Sequence, residues 1–224
     1  MKRLIHWMFD PQARTVRLAL GEKAMAFESV DSPPWQPNRE VRALAPGAQG
    51  VALIHRANEA RYTAIGALAI CEYLEEADQG IRLLPRLPED RAEARRVWKL
   101  GGDLFQEACK TLLDERIKIA FNRAHTPDSV KLRTGAHAMR GALTFFNHLA
   151  EIRPFLAGRQ LTLADLSVAA HLSCFDYFND VPWETVPDLR AWYSRVKSRP
   201  SFRPLLSDTL EGTRPAAHYT DLDF

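Results

Sequence analysis

Phe155-Leu-Ala-Gly-Arg-Gln-Leu-Thr-Leu-Ala-Asp165 is the stretch that decides the architecture of this chain. Thr162 stands three residues before Asp165, just ahead of an apolar run over residues 163–178. That spacing marks a helix N-terminus. The Thr hydroxyl takes an orphan amide of the first turn and the Asp carboxylate reaches back to the Thr amide, a capping box with Asp in place of Glu. Losing such a cap costs about 0.5–2 kcal/mol. The helix it opens is apolar on nearly every side, which predicts a central, buried helix with others packed around it.

Its neighbours follow from the same periodicity. Val97, Leu100, Leu104, Ala108, Leu112 and Ile119 recur at helical spacing, so one long helix is expected from Glu89 until Thr126-Pro127-Asp128-Ser129 breaks it. Residues 130–152 form the next helix, striped by Leu132, Met139, Leu143, Phe146 and Leu149. After Pro182 and Pro187, residues 189–198 make a fourth helix and residues 201–210 a short last one. Residues 211–224, with Gly212 and Pro215, read as a tail.

Before the helical part, residues 79–88 carry Gly80, Pro85 and Pro88, a linker composition. Upstream of it the pattern changes. Residues 4–9 suit a buried strand, and Asp10-Pro11 supplies an N-cap and a first-turn proline for a helix through Val16, Leu18 and Leu20. Residues 27–30 read as a second strand. Three prolines in Ser32-Pro-Pro-Trp-Gln-Pro37 forbid regular structure there. A short helix over 40–44 is stopped by Pro46-Gly47. Residues 51–54 and 60–63 pair across an Asn58-Glu59 turn, and residues 65–76 form a helix. This βαβ–ββα order is that of a thioredoxin-like domain. The expected division is therefore 1–78 thioredoxin-like, 79–88 linker, 89–210 all-helical and 211–224 tail.

Composition narrows the function classes. The chain has 224 residues, 46% of them apolar, and a net charge of +2 from 30 basic and 28 acidic side chains. That balance gives no general footprint for nucleic acid or a membrane surface. No stretch approaches the roughly 18 apolar residues of a membrane span, and the start is too short in apolar residues for a signal peptide. Cys71, Cys109 and Cys174 form no Cys-x-x-Cys pair, so buried thiols in a reducing cytoplasm are expected. His125, His137, His148 and His171 show no metal-ligand spacing, and His171, inside the apolar helix, is expected to be a hydrogen-bonded core residue. No metal or cofactor is expected.

Taken together, the βαβ–ββα half, the proline linker and the helical half with Leu161-Thr-Leu-Ala-Asp165 resemble the glutathione transferase family over about residues 3–205. Val16-Arg-Leu-Ala-Leu20 and Ala69-Ile-Cys-Glu-Tyr-Leu74 are further matches. The resemblance implies an α/β thioredoxin-like N-terminal domain followed by an all-α C-terminal domain. It also marks three positions of glutathione chemistry, and this chain departs at each. Where the family places its catalytic Ser or Cys, at the start of the first helix, stands Asp10, a carboxylate that would repel a thiolate. Neither Gln12 nor Ala13 supplies a hydroxyl, and Thr15 lies a turn further on. The family's Val-Pro before the third strand is Val51-Ala52 here, and a cis bond before Ala would cost about 2.5–4 kcal/mol, so a trans bond is expected. The acidic-Ser pair that binds the γ-glutamyl carboxylate is replaced by Gly66-Ala67. Three departures together argue for a lost glutathione site and against an enzyme.

Within the family, the chain resembles the FtsZ-binding cell-division members of alphaproteobacteria, tail included. That resemblance implies a cytoplasmic homodimer at the division site which binds FtsZ polymer and alters filament curvature or bundling. The alternative is a glutathione-dependent transferase or isomerase with a modified site. For partner contact the candidates are Trp35 on its proline-rich loop and the acidic-aromatic end with Tyr219, Asp221, Leu222, Asp223 and Phe224. Arg116, Lys118 and Arg123 are a weaker, basic candidate for meeting an acidic polymer. Each has a plainer reading: Trp35 covering the vacated cleft, the tail aromatics folded back onto the helices, and the basic residues forming a solvated face.

Overall fold

Leu4 and Ile5 point to opposite faces of strand β1 (Lys2–His6), and both faces are covered. The computed structural model describes residues 1–36, 38–44, 50–57, 60–77, 80–122 and 124–222. The expected Asn58-Glu59 turn, Pro37, Pro46-Gly47, Arg123, Asp223 and Phe224 lie outside them. β1 pairs in parallel with β2 (Glu28–Asp31) and antiparallel with β3 (Ala52–Ala57), which pairs in turn with β4 (Ala60–Ile65). The four-stranded sheet therefore runs β2-β1-β3-β4. Helix α1 (Pro11–Glu22) and helix α3 (Ala67–Ala77) bury Val16, Leu20, Ile70 and Leu74 in one cluster with Leu4 and Leu53. The short helix α2 (Arg39–Leu44) sets Val41 against Ile5, Ala52 and Ile54 on the other face.

The expected strand over 4–9 stops at His6. Beyond it the ladder has no partner, because β2 ends at Asp31 opposite His6 and β3 begins at Ala52 opposite Ile5. Trp7 and Phe9 leave the sheet and join Tyr177 and Tyr219 in a separate cluster.

The helical half comprises α4 (Pro88–Ala108), α5 (Asp114–Phe121), α6 (Ser129–Ile152), α7 (Leu163–Tyr177), α8 (Pro187–Lys197) and α9 (Arg203–Leu206). Every residue of α7 is buried, as a helix apolar on nearly every side predicts. Its capping box is formed: the Thr162 hydroxyl accepts from the Ala164 amide at 3.2 Å and Asp165 accepts from the Thr162 amide at 2.9 Å. Asp165 also accepts from the Leu156 amide (2.8 Å) and from the Trp192 indole (3.0 Å), so one carboxylate fastens the 155–165 segment and α8 to α7.

Two expected helices are corrected. The long helix is interrupted by a π turn, Cys109–Leu113, before α5 resumes. There α6 comes so near that a Cβ on Gly135 would sit 2.5 Å from Leu112 Cβ. The last helix is a 3-10 turn, Pro200–Phe202, followed by only four residues of α9. The chain leaves the helix where Asp208 is drawn to Arg14 and Arg17.

Candidate functional site

Between α1, α3 and α4 lies a cavity of about 640 Å³, and a second of about 240 Å³ lies between α1, α5 and the proline-rich loop. Asp10, Pro11, Gln12 and Cys109 line both. Asp10 is half-buried and caps α1, its carboxylate accepting from the Gln12 amide at 3.0 Å. Burial raises its carboxyl to about 6, against the pull of the helix amides. Thr15 does not offer a free hydroxyl to the cavity, since its Oγ1 donates to Pro11 O at 2.8 Å. The Val51–Ala52 bond is trans, as expected. Gly66 takes φ +88°, a left-handed conformation that suits glycine, and α3 begins at Ala67 with no hydroxyl.

Cys109 lines the cavities and burial pushes its thiol up. Cys174, buried, is pushed up to about 11 by burial, and Cys71 is likewise raised by burial. All three are free thiols. His171 meets its expected role: its Nδ1 lies 2.8 Å from Ser167 O, its ring stacks on Phe105, and burial lowers its pKa. Among the described residues, no group of three or more His, Cys, Asp or Glu side chains is placed to hold a metal ion. Nor is any helix of the described residues long and apolar enough to cross a membrane.

Trp35 is 56% exposed, next to Pro33 and Pro34, which line the smaller cavity. It meets Trp7 edge-on at 5.3 Å and Phe121 at 4.8 Å, so the proline-rich loop is pinned across to α5. The ring packs against Trp7, which itself lines that cavity, and keeps more than half of its surface open.

The tail corrects the sequence reading more strongly. Tyr219 is fully buried, not an exposed anchor. Its hydroxyl accepts from Arg14 (3.0 Å) and donates to Leu205 O (3.2 Å), and its ring meets Tyr177 edge-on at 5.2 Å. The remaining backbone is tied down as well, with Ala216 N–H donating to Tyr177 O and Leu210 N–H to the Tyr177 hydroxyl. Residues 207–222 therefore form a strap across α1, α7 and α8. The physical reason is Arg14. A guanidinium with no exposed surface needs acceptors on every side, and the strap brings Asp208 and Tyr219 to it. Met8 O and Ser173 Oγ, both at 2.8 Å, complete the set, and the Phe9 ring lies 4.4 Å from the guanidinium carbon.

A second node holds the end of the strap. Asp176, buried, accepts from the Trp183 indole (2.8 Å) and the Tyr193 hydroxyl (3.3 Å) and lies 2.7 Å from His218 Nε2. Lys197 Nζ is 3.8 Å from Asp176 and donates to His218 O, and burial brings its amine down to about 8. Past this node Asp221 is exposed and Leu222 half-buried, while Asp223 and Phe224 lie outside the described residues.

The basic candidates separate. Arg116 is not a free cation, because its Nε and Nη2 bond Asp180 at 3.0 and 2.5 Å. Lys118 is exposed, and Arg123 lies outside the described residues. Sequence reasoning missed Arg14, Asp176, Lys197 and Asp208. One signal was present: Arg14 sits four residues before Leu18, among Ala13, Thr15 and Val16, where a solvent-facing arginine would interrupt a buried stripe.

Residues 125–207 match the model for the glutathione S-transferase C-terminal domain. The chain is 40% identical over 224 residues to FtsZ-localized protein A of Caulobacter vibrioides, spanning 100% of this chain and 98% of that protein. The solved structure of FzlA from C. crescentus superposes with a TM-score of 0.93 at 40% identity, covering 100% of this chain and 99% of that one. A glutathione S-transferase structure from Rhodospirillum rubrum F11 gives a TM-score of 0.92 at 39% identity, with both chains covered in full. The glutathione transferase fold expected from Leu161–Asp165 outward is thus the fold of this chain.

Proposed function

The chain belongs to the family of FtsZ-localized protein A, built on the glutathione transferase fold, and from that premise we propose that it is a non-enzymatic cell-division protein that binds FtsZ filaments and modulates their curvature or bundling. The observation that carries this reading is the likeness to FtsZ-localized protein A, 40% identical over 100% of this chain and 98% of that protein. The chemistry of the cleft supports it. A carboxylate at the N-terminus of α1 repels a thiolate, and neither Gln12 nor Ala67 can replace the activating hydroxyl.

On this reading the protein acts as a cytoplasmic homodimer at the division site, and two FtsZ-binding surfaces per dimer bridge filaments. Bivalency strengthens attachment only when both surfaces are reached at once. Trp35 is the strongest contact candidate, being a large ring held on a pinned loop with more than half its surface open. Asp221 and Leu222, at the end of the strap, follow in place of the buried Tyr219, and Asp223 and Phe224 remain candidates from the sequence alone. Lys118 remains a weaker candidate.

Cosedimentation with assembled FtsZ tests the reading, with pelleting at micromolar protein as the expected result. One observation favours a second reading, a glutathione-dependent transferase or isomerase with an altered site: the Rhodospirillum rubrum structure is described as a glutathione S-transferase. Calorimetric titration with glutathione separates the two. Millimolar or tighter binding supports the enzyme and its absence supports the division protein.

A further inference from the structure

The cleft holds an incompletely compensated anion. Most of its charged lining is already matched: Arg95 bonds Glu72 at 2.7 and 3.0 Å, and Lys99 pairs with Asp103. Lys110 and Asp114 are exposed at the rims. His171 is held uncharged by burial and supplies no cation. That leaves Asp10, half-buried where the two cavities meet, with no Lys, Arg or His of the described residues in an ion pair with it. Backbone amides at the start of α1 are its compensation. A carboxylate in such a place is costly to keep ionised, and the raised carboxyl pKa agrees. An organic cation seated beside it would recover that cost.

The space fits one. Volumes of 640 and 240 Å³ meeting at Asp10 lie in the range of small-molecule sites. Trp98, Leu68 and Pro11 offer an apolar wall on one side, and Trp7 and Phe9 on the other. We propose that the cleft is a receptor for an organic ammonium ion, a protonated amine on an apolar or aromatic body, with the charge at the Asp10 carboxylate and the body along Trp98 and Leu68. Apolar burial supplies affinity and the Asp10 carboxylate supplies the choice of cation over anion. The inference stands apart from FtsZ association and holds whether or not the chain binds filaments.

The test uses the full chain and three probes of one shape: 2-phenylethylamine, 2-phenylethanol and 3-phenylpropionate, titrated calorimetrically near neutral pH. The amine is expected to bind at least about tenfold more tightly than the alcohol, with the acid weakest. Asp10→Asn keeps an N-cap of equal quality, so the fold is retained, and should erase the preference for the amine. Amine and alcohol binding alike, a tighter acid, an unchanged preference in Asp10→Asn, or no amine binding up to about 10 mM would each overturn the proposal.

Discussion

Replacing Arg14 by Met probes the strap at its root. The guanidinium donates to Met8 O, Ser173 Oγ, Tyr219 OH and Asp208 Oδ2 at 2.8, 2.8, 3.0 and 3.3 Å. Methionine roughly keeps the aliphatic stem, so little cavity is added and the loss is polar. Asp208 keeps Arg17, at 2.6 and 2.9 Å, which softens the effect. Removing one partner from a buried charged network costs about 3–5 kcal/mol. For a chain of this size each kcal/mol lowers Tm by about 2–4 °C, so a fall of roughly 6–20 °C is expected by calorimetry. Hydrogen exchange should locate the damage, with residues 207–222 losing protection before the α7 core. Tyr219→Phe is the graded companion. It leaves Leu205 O without its donor and should cost about 1–3 kcal/mol. An Arg14→Met protein within about 1 kcal/mol of the parent, with exchange in 207–222 unchanged, would refute the argument that Arg14 holds the strap.

Three further outcomes are expected. The Asp10 carboxyl, raised to about 6 in the folded state from an ordinary 3.8, keeps its proton longer than in the unfolded chain, so stability falls as pH rises from about 4 to 6. Asp10→Asn should therefore be more stable than the parent above about pH 6, by about 1–3 kcal/mol, and equal to it below about pH 4; denaturant midpoints across that range would show the reverse if the sign is wrong. Thr162→Ala removes one capping acceptor and should cost about 0.5–2 kcal/mol in chemical denaturation, with no change in FtsZ pelleting. Trp35→Ala should weaken FtsZ binding by about 2 kcal/mol or more while the Tm moves little, and pelleting at the parent's level would remove Trp35 from the contact surface.

Local chemistry made much of the fold readable. Thr162 and Asp165 announce their helix because a capping box is an interaction between residues three apart, and the Asp10-Pro11 cap is equally local. The sheet follows from apolar runs and turns. What the sequence concealed was decided across long separations. Strand β1 stops at His6 because its neighbours end, not because of anything in Trp7–Phe9. The π turn lies where Gly135, more than twenty residues away, approaches Leu112. Tyr219 lies 205 positions from Arg14, so no local pattern could reveal that the aromatic tail is ballast for a buried arginine rather than a free hook. At the cleft, the sequence shows only that Asp10, Ala52, Gly66 and Ala67 depart from the family's pattern, while the Arg95–Glu72 pair, which joins α4 to α3 across 23 positions, depends on the folded side chains.

Association with FtsZ polymer is the property on which the proposed function rests. Full-length protein at micromolar concentration, spun with assembled FtsZ and in parallel with unassembled FtsZ, tests it most directly. The protein is expected to pellet with the polymer and to stay in solution without it. Protein remaining in the supernatant beside a full pellet of FtsZ filaments would contradict it.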